Sequence, residues 1–176
     1  VFDLEKLYIP PQLNESEGLY GNQLLCEQAV LKELDLEVPQ ESHLLDMGCG
    51  RGRIAHYFAT LTGGQVSGYN IDANQIENAI DWAAECGMSD RLHFKVGDHH
   101  KPLEYESATF DGCFSFQAVW PFFKKEELDG HAREMHRVLK PGARYACSEY
   151  LLTPHFDWNN EEHVVLHKSF LPTLAA

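Results

Sequence analysis

The chain contains no apolar run of the ~18–20 residues needed to cross a bilayer, and it has no internal repeat, low-complexity tract or linker. It has no CxxC pair, no HExxH helix motif and no Cys/His finger spacing, so no metal site is expected. The 10 histidines are scattered; the nearest sets, His99–His100 and His131 with His136, read as core or surface side chains. No Ser/His/Asp or Cys/His nucleophile arrangement is legible. Basic residues are scarce, 14 against 27 acidic ones, for a net charge of −13. Such a surface offers no general attraction to a polyanion, which argues against a nucleic-acid substrate and for a small, uncharged or apolar molecule. The five cysteines (Cys26, Cys49, Cys86, Cys113, Cys147) are odd in number and far apart. They read as reduced thiols of an intracellular, cytoplasmic setting, several packed as small apolar side chains. The start, Val1 to Lys6, has neither an initiator Met nor the basic-then-apolar order of a signal peptide. That suggests a longer N-terminus and leaves a targeting segment open.

What is present is an ordinary 44% apolar fraction over 176 residues, enough for one domain with a two-sided core. Residues 1–22 are rich in turn formers and read as an irregular lead-in. Leu24, Leu25, Ala29, Val30, Leu31 and Leu34 then recur at helical spacing, closed by Pro39. From His43 onward, strands and helices alternate. The predicted strands are Leu44–Met47, Gln65–Asn70, Leu92–Val96, Phe110–Val119 and Arg144–Leu151. The predicted helices are Ile54–Leu61, Asn74–Cys86 and Lys125–Leu139. Alternation of this kind predicts an α/β fold, a Rossmann-like doubly wound parallel sheet with helices on both faces. The expected division is a lead-in and helix over 1–40, a core over 41–152, and a C-terminal helical segment over 153–176.

One stretch carries chemistry. Asp46-Met47-Gly48-Cys49-Gly50-Arg51-Gly52 ends the first strand and opens a helix. Its glycines permit a sharp turn and the close approach of a ligand at the crevice where open α/β sheets bind. A tight strand-to-helix turn with no ligand is the other reading of the same residues. The spacing is GxGxG rather than the GxGxxG of dinucleotide binders. Asp46, two residues before the first glycine, disfavours a pyrophosphate and suits a ligand bearing an ammonium group.

Leu44 to Gly52 resembles motif I of class I methyltransferases. Val66–Asp72, Val96-Gly97-Asp98, Phe110–Ser115 and Arg137-Val138-Leu139-Lys140-Pro141-Gly142 resemble the later motifs in the same order, the last being similar to the "RVLKPGG" turn. The resemblance covers about residues 40–152. Within that family the chain is similar to sterol C-methyltransferases and related small-molecule C-methyltransferases. Gly68-Tyr69-Asn70-Ile71-Asp72-Ala73-Asn74-Gln75-Ile76 resembles their "GLNNNDYQI", and Ser148-Glu149-Tyr150 their "YEW". It departs from them in two regions associated with sterol substrates. The upstream "YEYGWG" is reduced to Leu19-Tyr20-Gly21-Asn22, and Gln117 to Phe123 stands in place of "EATCHAP".

The resemblance implies S-adenosylmethionine as cofactor. Its methionine part would lie on the Gly48, Cys49, Gly50 and Gly52 backbone, the amino group near Asp46 and the Gln117 carbonyl. Asn70 would meet the ribose hydroxyls, with Gln75 reaching the ribose or the cofactor carboxylate. Asp98, assisted by His99, would accept from the adenine amino group, and Ile71 would cover the adenine face. Asn70 as a turn former, Gln75 as an exposed helix residue and Asp98 as a helix cap remain the plain alternatives. Tyr20, Trp120 and Phe122 are candidates to face the sulfonium, or else core aromatics. Glu149 is the first candidate for a base, His99 or His100 the next; Glu149 as a fixed hydrogen-bond partner is the alternative.

A class I methyltransferase sheet ends with an antiparallel hairpin after the fifth strand, and nothing after Leu152 reads that way. Asn159–Ala176 reads as one helix broken at Pro172. The fifth strand would then carry an open edge, so the expectation is a longer polypeptide, or a homo-oligomer, that covers it. The function expected is S-adenosylmethionine-dependent methyl transfer to a small lipidic, terpenoid or sterol-like molecule. The alternatives are an NAD(P)-dependent oxidoreductase and a non-catalytic methyltransferase-like binding module.

Overall fold

Short β-rich runs bounded by glycine or polar turns form five strands: β1 (His43–Met47), β2 (Gln65–Asn70), β3 (Leu92–Val96), β4 (Phe110–Phe116) and β5 (Leu139–Ser148). In the computed structural model, which describes residues 8–119, 123–150 and 153–174, they make one sheet in the order β3-β2-β1-β4-β5. Every pairing is parallel. The order reverses at β1, which places the β1 and β4 carboxyl ends at the topological switch point where such sheets bind ligands.

Helices α1 (Leu19–Glu33), α2 (Arg53–Thr62) and α3 (Ala73–Glu85) cover one face. There Phe58 of α2 is fully buried against Phe114 of β4, ring centroids 4.4 Å apart. Helix α4 (Lys125–Val138) covers the other face, with Met135 and Val138 packed on Leu45, Met47 and Cys113. Each such side chain contributes on the order of 1.5–3 kcal/mol through its burial. The doubly wound architecture with helices on both faces is thus as the alternation of the sequence predicts. Among the described residues β5 is an outer strand with no further partner. Helix α5 (Glu161–Leu174) follows, preceded by a local aromatic pair of Phe156 and Trp158.

Several boundaries move. Leu19–Asn22, expected in the irregular lead-in, are helical. The side chain of Asn22 accepts from the N–H groups of Leu13 and Asn14 and donates to the Gly18 carbonyl, tying the preceding turn to the helix start. β4 stops at Phe116 instead of Val119, because Gln117 takes a left-handed φ of 52°. β5 begins at Leu139, before the Lys140-Pro141-Gly142 turn rather than after it. That turn is carried within the strand as a bulge: Phe110 pairs with Leu139, and Gly112 pairs with Arg144. Helix α5 runs on past Pro172. Leu151, expected to end β5, lies outside the described residues. Of the five cysteines, Cys26, Cys49 and Cys113 are buried.

Candidate functional site

The glycine turn is fixed from below. The N–H groups of Gly48 and Cys49 both donate to the Tyr69 carbonyl of β2, at 2.8 and 3.3 Å. Gly52 then donates to the Cys49 carbonyl at 2.9 Å and caps α2 with φ 80°. Two of the glycines are required by the fold itself. A Cβ on Gly48 would stand 2.3 Å from the Ala118 Cβ, and one on Gly52 2.5 Å from the Phe94 ring. Gly50 differs: its φ is 54°, yet a Cβ there would meet only Gln75 Oε1, at 3.4 Å. The turn therefore presents an accessible cradle at Gly50. Cys49 lies beneath it, buried, with its N–H and carbonyl both engaged and its thiol pKa pushed up by burial.

Asp46, one residue from the end of β1, is 3% exposed, and its Oδ2 is buried with no hydrogen-bond partner. Burial pushes its pKa from 3.8 up to about 8; the Arg53 guanidinium pulls it down and Glu27 pushes it up. At the tip of β2, Asn70 Nδ2 donates to Gln75 Oε1 at 3.2 Å, so these two side chains stand together at the mouth of the Gly50 cradle. Ile71 follows, 63% exposed, an apolar surface presented at the carboxyl edge. Asp72 caps α3 by accepting from Asn74 and Gln75 N–H.

Beyond β3, Asp98 Oδ1 accepts from the His100 N–H and ring Nδ1, both at 3.0 Å. The His100 backbone N–H is the largest influence holding its pKa below the ordinary value, so Asp98 is a carboxylate. His99 is half-buried beside His100 and Phe123, and burial lowers its pKa, leaving the imidazole neutral at pH 7. At the other end, Gln117 donates its backbone N–H to Ser148 and its Nε2 to the Ile9 carbonyl at 2.7 Å.

The fold thus gathers Asp46, the glycine turn, Asn70, Gln75, Ile71, Asp98, His99 and Gln117 along the carboxyl edge of β1–β4. Glu149 stands apart from Asp46. It follows β5, and its carboxylate accepts from Ser115 Oγ at 3.4 Å; Ser115 also bonds Tyr145 Oη at 3.0 Å. This cluster lies on the α4 face, whereas Asp46 points toward α1 and α2. Tyr20 is exposed on α1, and Trp120 and Phe122 lie outside the described residues. Among the described residues, no group of three or more His, Cys, Asp or Glu side chains is placed to hold a metal ion. None of the described helices is long and apolar enough to cross a membrane.

Sequence reasoning passed over Tyr8, Glu27, Arg53, Ser115 and Tyr145. A signal for Glu27 was available. It falls with Gln23, Val30 and Leu34 on the stripe of α1 that faces the core, a position a lone carboxylate does not occupy without a cation.

The match to known proteins agrees with this fold. Residues 44–142 match the family model described as "Methyltransferase domain". The chain belongs to that family, in its class I, S-adenosylmethionine-dependent form. It is 37% identical over 120 residues to the sterol 24-C-methyltransferase of Saccharomyces cerevisiae, covering 68% of this chain and 30% of that protein. It is 32% identical over 128 residues to a methyltransferase of Penicillium fellutanum, covering 73% and 38%. The chain therefore spans about a third of the length of these relatives. Among solved structures, the 4+2 cyclase SpnF is 29% identical with a TM-score of 0.68, over 78% of this chain and 48% of that one. Geranyl diphosphate C-methyltransferase from Streptomyces coelicolor A3(2) has a TM-score of 0.73 at 19% identity, over 86% and 55%, a likeness of fold. Family membership disfavours the nicotinamide-dependent alternative.

Proposed function

We propose that the Asp46–Gly52 turn holds the methionine part of S-adenosylmethionine and that the chain transfers its methyl group to a small lipidic or terpenoid-like acceptor. The observation that carries this is the buried, unpartnered Oδ2 of Asp46 beside the open cradle at Gly50. A buried carboxyl without a partner is costly, and an ammonium group brought to it supplies the missing donor and cation together. The bound cofactor supplies a methyl group already activated on a sulfonium.

The chain's own residues bind and orient. Asp46 accepts from the ammonium, with the Gln117 carbonyl beside it. The Asn70–Gln75 pair exchanges its mutual hydrogen bond for bonds to the ribose hydroxyls, Asn both donating and accepting. Asp98 accepts from the adenine amino group next to His99, and Ile71 covers the ring. Holding the acceptor in line with the activated methyl is worth up to ~7–11 kcal/mol, by analogy with effective molarities. Glu149, steadied by the Ser115–Tyr145 hydroxyl pair, takes the proton the acceptor gives up. The sterol 24-C-methyltransferase relative supports a lipidic acceptor. The core over 41–152 carries the cofactor, and 153–176 leads toward the acceptor-binding part.

Titration calorimetry with S-adenosylhomocysteine tests the site. Asp46→Ala is expected to weaken binding by at least ~10-fold, the scale of one lost charge-assisted hydrogen bond; unchanged affinity removes the assignment. Transfer of labelled methyl to a sterol or terpenoid by the full-length protein tests the acceptor class. Cofactor binding with no transfer to any such acceptor would favour a binding module.

A further inference from the structure

Beneath the glycine turn lies a buried ion pair. Glu27 of α1 is fully buried, and both of its carboxylate oxygens meet the guanidinium of Arg53, the first residue of α2; Arg53 Nη1 lies 3.1 Å from Oε2 and Nη2 contacts Oε1. The Tyr8 hydroxyl closes the outer side, donating to Glu27 Oε1 at 2.9 Å, while Gln23 Nε2 donates to the Tyr8 carbonyl at 2.7 Å. Arg53 is itself buried, and its Nε has no partner. The Asp46 carboxyl on β1 faces the same interior. Arg53 from α2 attracts its charge and Glu27 from α1 repels it. The remaining titratable neighbours are the Cys49 and Cys113 thiols, both kept protonated by burial, and the Tyr8 phenol behind Glu27.

A buried ion pair is weak evidence for stability, because desolvation offsets much of the attraction. Its placement here has another consequence. A lone Arg53 would pair with the Asp46 carboxylate from inside the protein and take the place of a ligand's ammonium group. Glu27 occupies Arg53 and prevents this.

We propose that the Glu27–Arg53 pair is a positioning device that reserves the Asp46 carboxylate for the ammonium group of the bound ligand. Glu27 and Arg53 touch no ligand; they act through Asp46. The proposal rests on the reading of Asp46 as the ammonium acceptor. It gives opposite signs for the two single variants. In Glu27→Gln the released Arg53 charge turns to Asp46: the pH at which binding is half-lost moves down, and above the wild-type midpoint ammonium-bearing ligands bind more weakly. In Arg53→Met the attraction is gone, and that pH moves up.

The test measures affinity from pH 6 to 9.5 for S-adenosylhomocysteine and for 5′-methylthioadenosine, which lacks the ammonium. The expected result for S-adenosylhomocysteine is a midpoint shift of about one pH unit or more in each direction, about tenfold in affinity between the midpoints. At pH 9 the Glu27→Gln protein binds it at least ~10-fold more weakly than wild type. Affinity for 5′-methylthioadenosine stays within about twofold in every variant, which a general collapse of the site would not allow. The double variant Glu27→Gln/Arg53→Met lacks the buried ion pair and serves if a single variant fails to fold; its midpoint is expected above wild type. Equal midpoints in wild type and the pair variants overturn the proposal. Asp46→Asn separates the two levels. If it keeps the wild-type affinity and profile, the ammonium reading fails. If it alone loses affinity while the pair variants match wild type, only the role of the pair fails.

Discussion

The two faces of the sheet are covered differently. On one, α1, α2 and α3 lie over a run of aromatic and aliphatic side chains, and the acidic and basic side chains buried there are the Glu27–Arg53 pair and Asp46. On the other, α4 is joined by the connection 97–109, which has no helix, and by Val119 and Phe123. Between that connection and α4 a cavity of about 310 Å³ opens, lined by His99, His100, Phe123 and His131 among others. His131 is 7% exposed and both its ring nitrogens are buried without hydrogen-bond partners, while Ser115 and Tyr145 bond each other nearby. The closely covered face holds up the glycine turn and its acid. The openly covered face carries Glu149. Geometry common to all substrates belongs on rigid packing, and geometry that differs between substrates belongs where cover is thin.

The contrast can be broken by mutation. Phe58→Ala, at the centre of the closely covered face, is expected to cost ~3–5 kcal/mol in urea unfolding, and Met135→Ala on the other face about 2 kcal/mol. Equal losses would remove the asymmetry. Asp46 gives a pH-dependent difference. Its pKa is raised on folding, so the cofactor-free protein loses stability as pH climbs from about 4 to about 8. Asp46→Asn is expected to recover on the order of 5 kcal/mol at pH 8 and little near pH 4, read from thermal melts across that range.

His131 has the opposite dependence. Burial pushes its pKa from 6.5 down to about 4, so the folded protein resists a proton that the unfolded chain accepts. Stability is then complete above about pH 6.5 and falls as pH drops toward about 4. In His131→Phe this part of the acid sensitivity, up to ~3 kcal/mol, is expected to vanish. A wild-type acid profile in that variant would show that His131 is protonated without penalty. The smallest effect is expected at the exposed Arg144–Asp35 pair, where Arg144→Ala should change stability by less than about 1 kcal/mol.

Most of the fold was legible because its signals are local. The Leu44–Met47 run, the Gly48–Gly52 turn and the helical spacing of Leu24 to Leu34 each report on a few neighbouring residues, and the alternation of strands and helices implies a parallel sheet. The edges that moved depend on distant partners. β4 ends where Gln117 turns to bond Ser148 and Ile9, and β5 accommodates Pro141 because its neighbour keeps pairing on either side of the bulge. In the candidate site, Asp46 was readable as an acid just before the glycine turn, and Asn70 and Asp98 were named through the resemblance to the later methyltransferase motifs. The Glu27–Arg53 pairing was not legible, although Glu27 falls on the buried stripe of α1, since a charge 26 positions away in sequence becomes a neighbour only when α1 folds against α2.

The sequence by itself determined the alternation of strands and helices, the glycine turn and the acid preceding it, because backbone freedom at Gly48–Gly52 and apolar periodicity are properties of short stretches. Only the tertiary structure decided which glycine leaves an open cradle, and that Asp46 is a buried carboxyl flanked by a cancelled charge while Glu149 lies on the opposite face. Burial and electrostatics depend on what surrounds a group in space, and α1, β1 and α2 meet around Asp46 only in the folded chain.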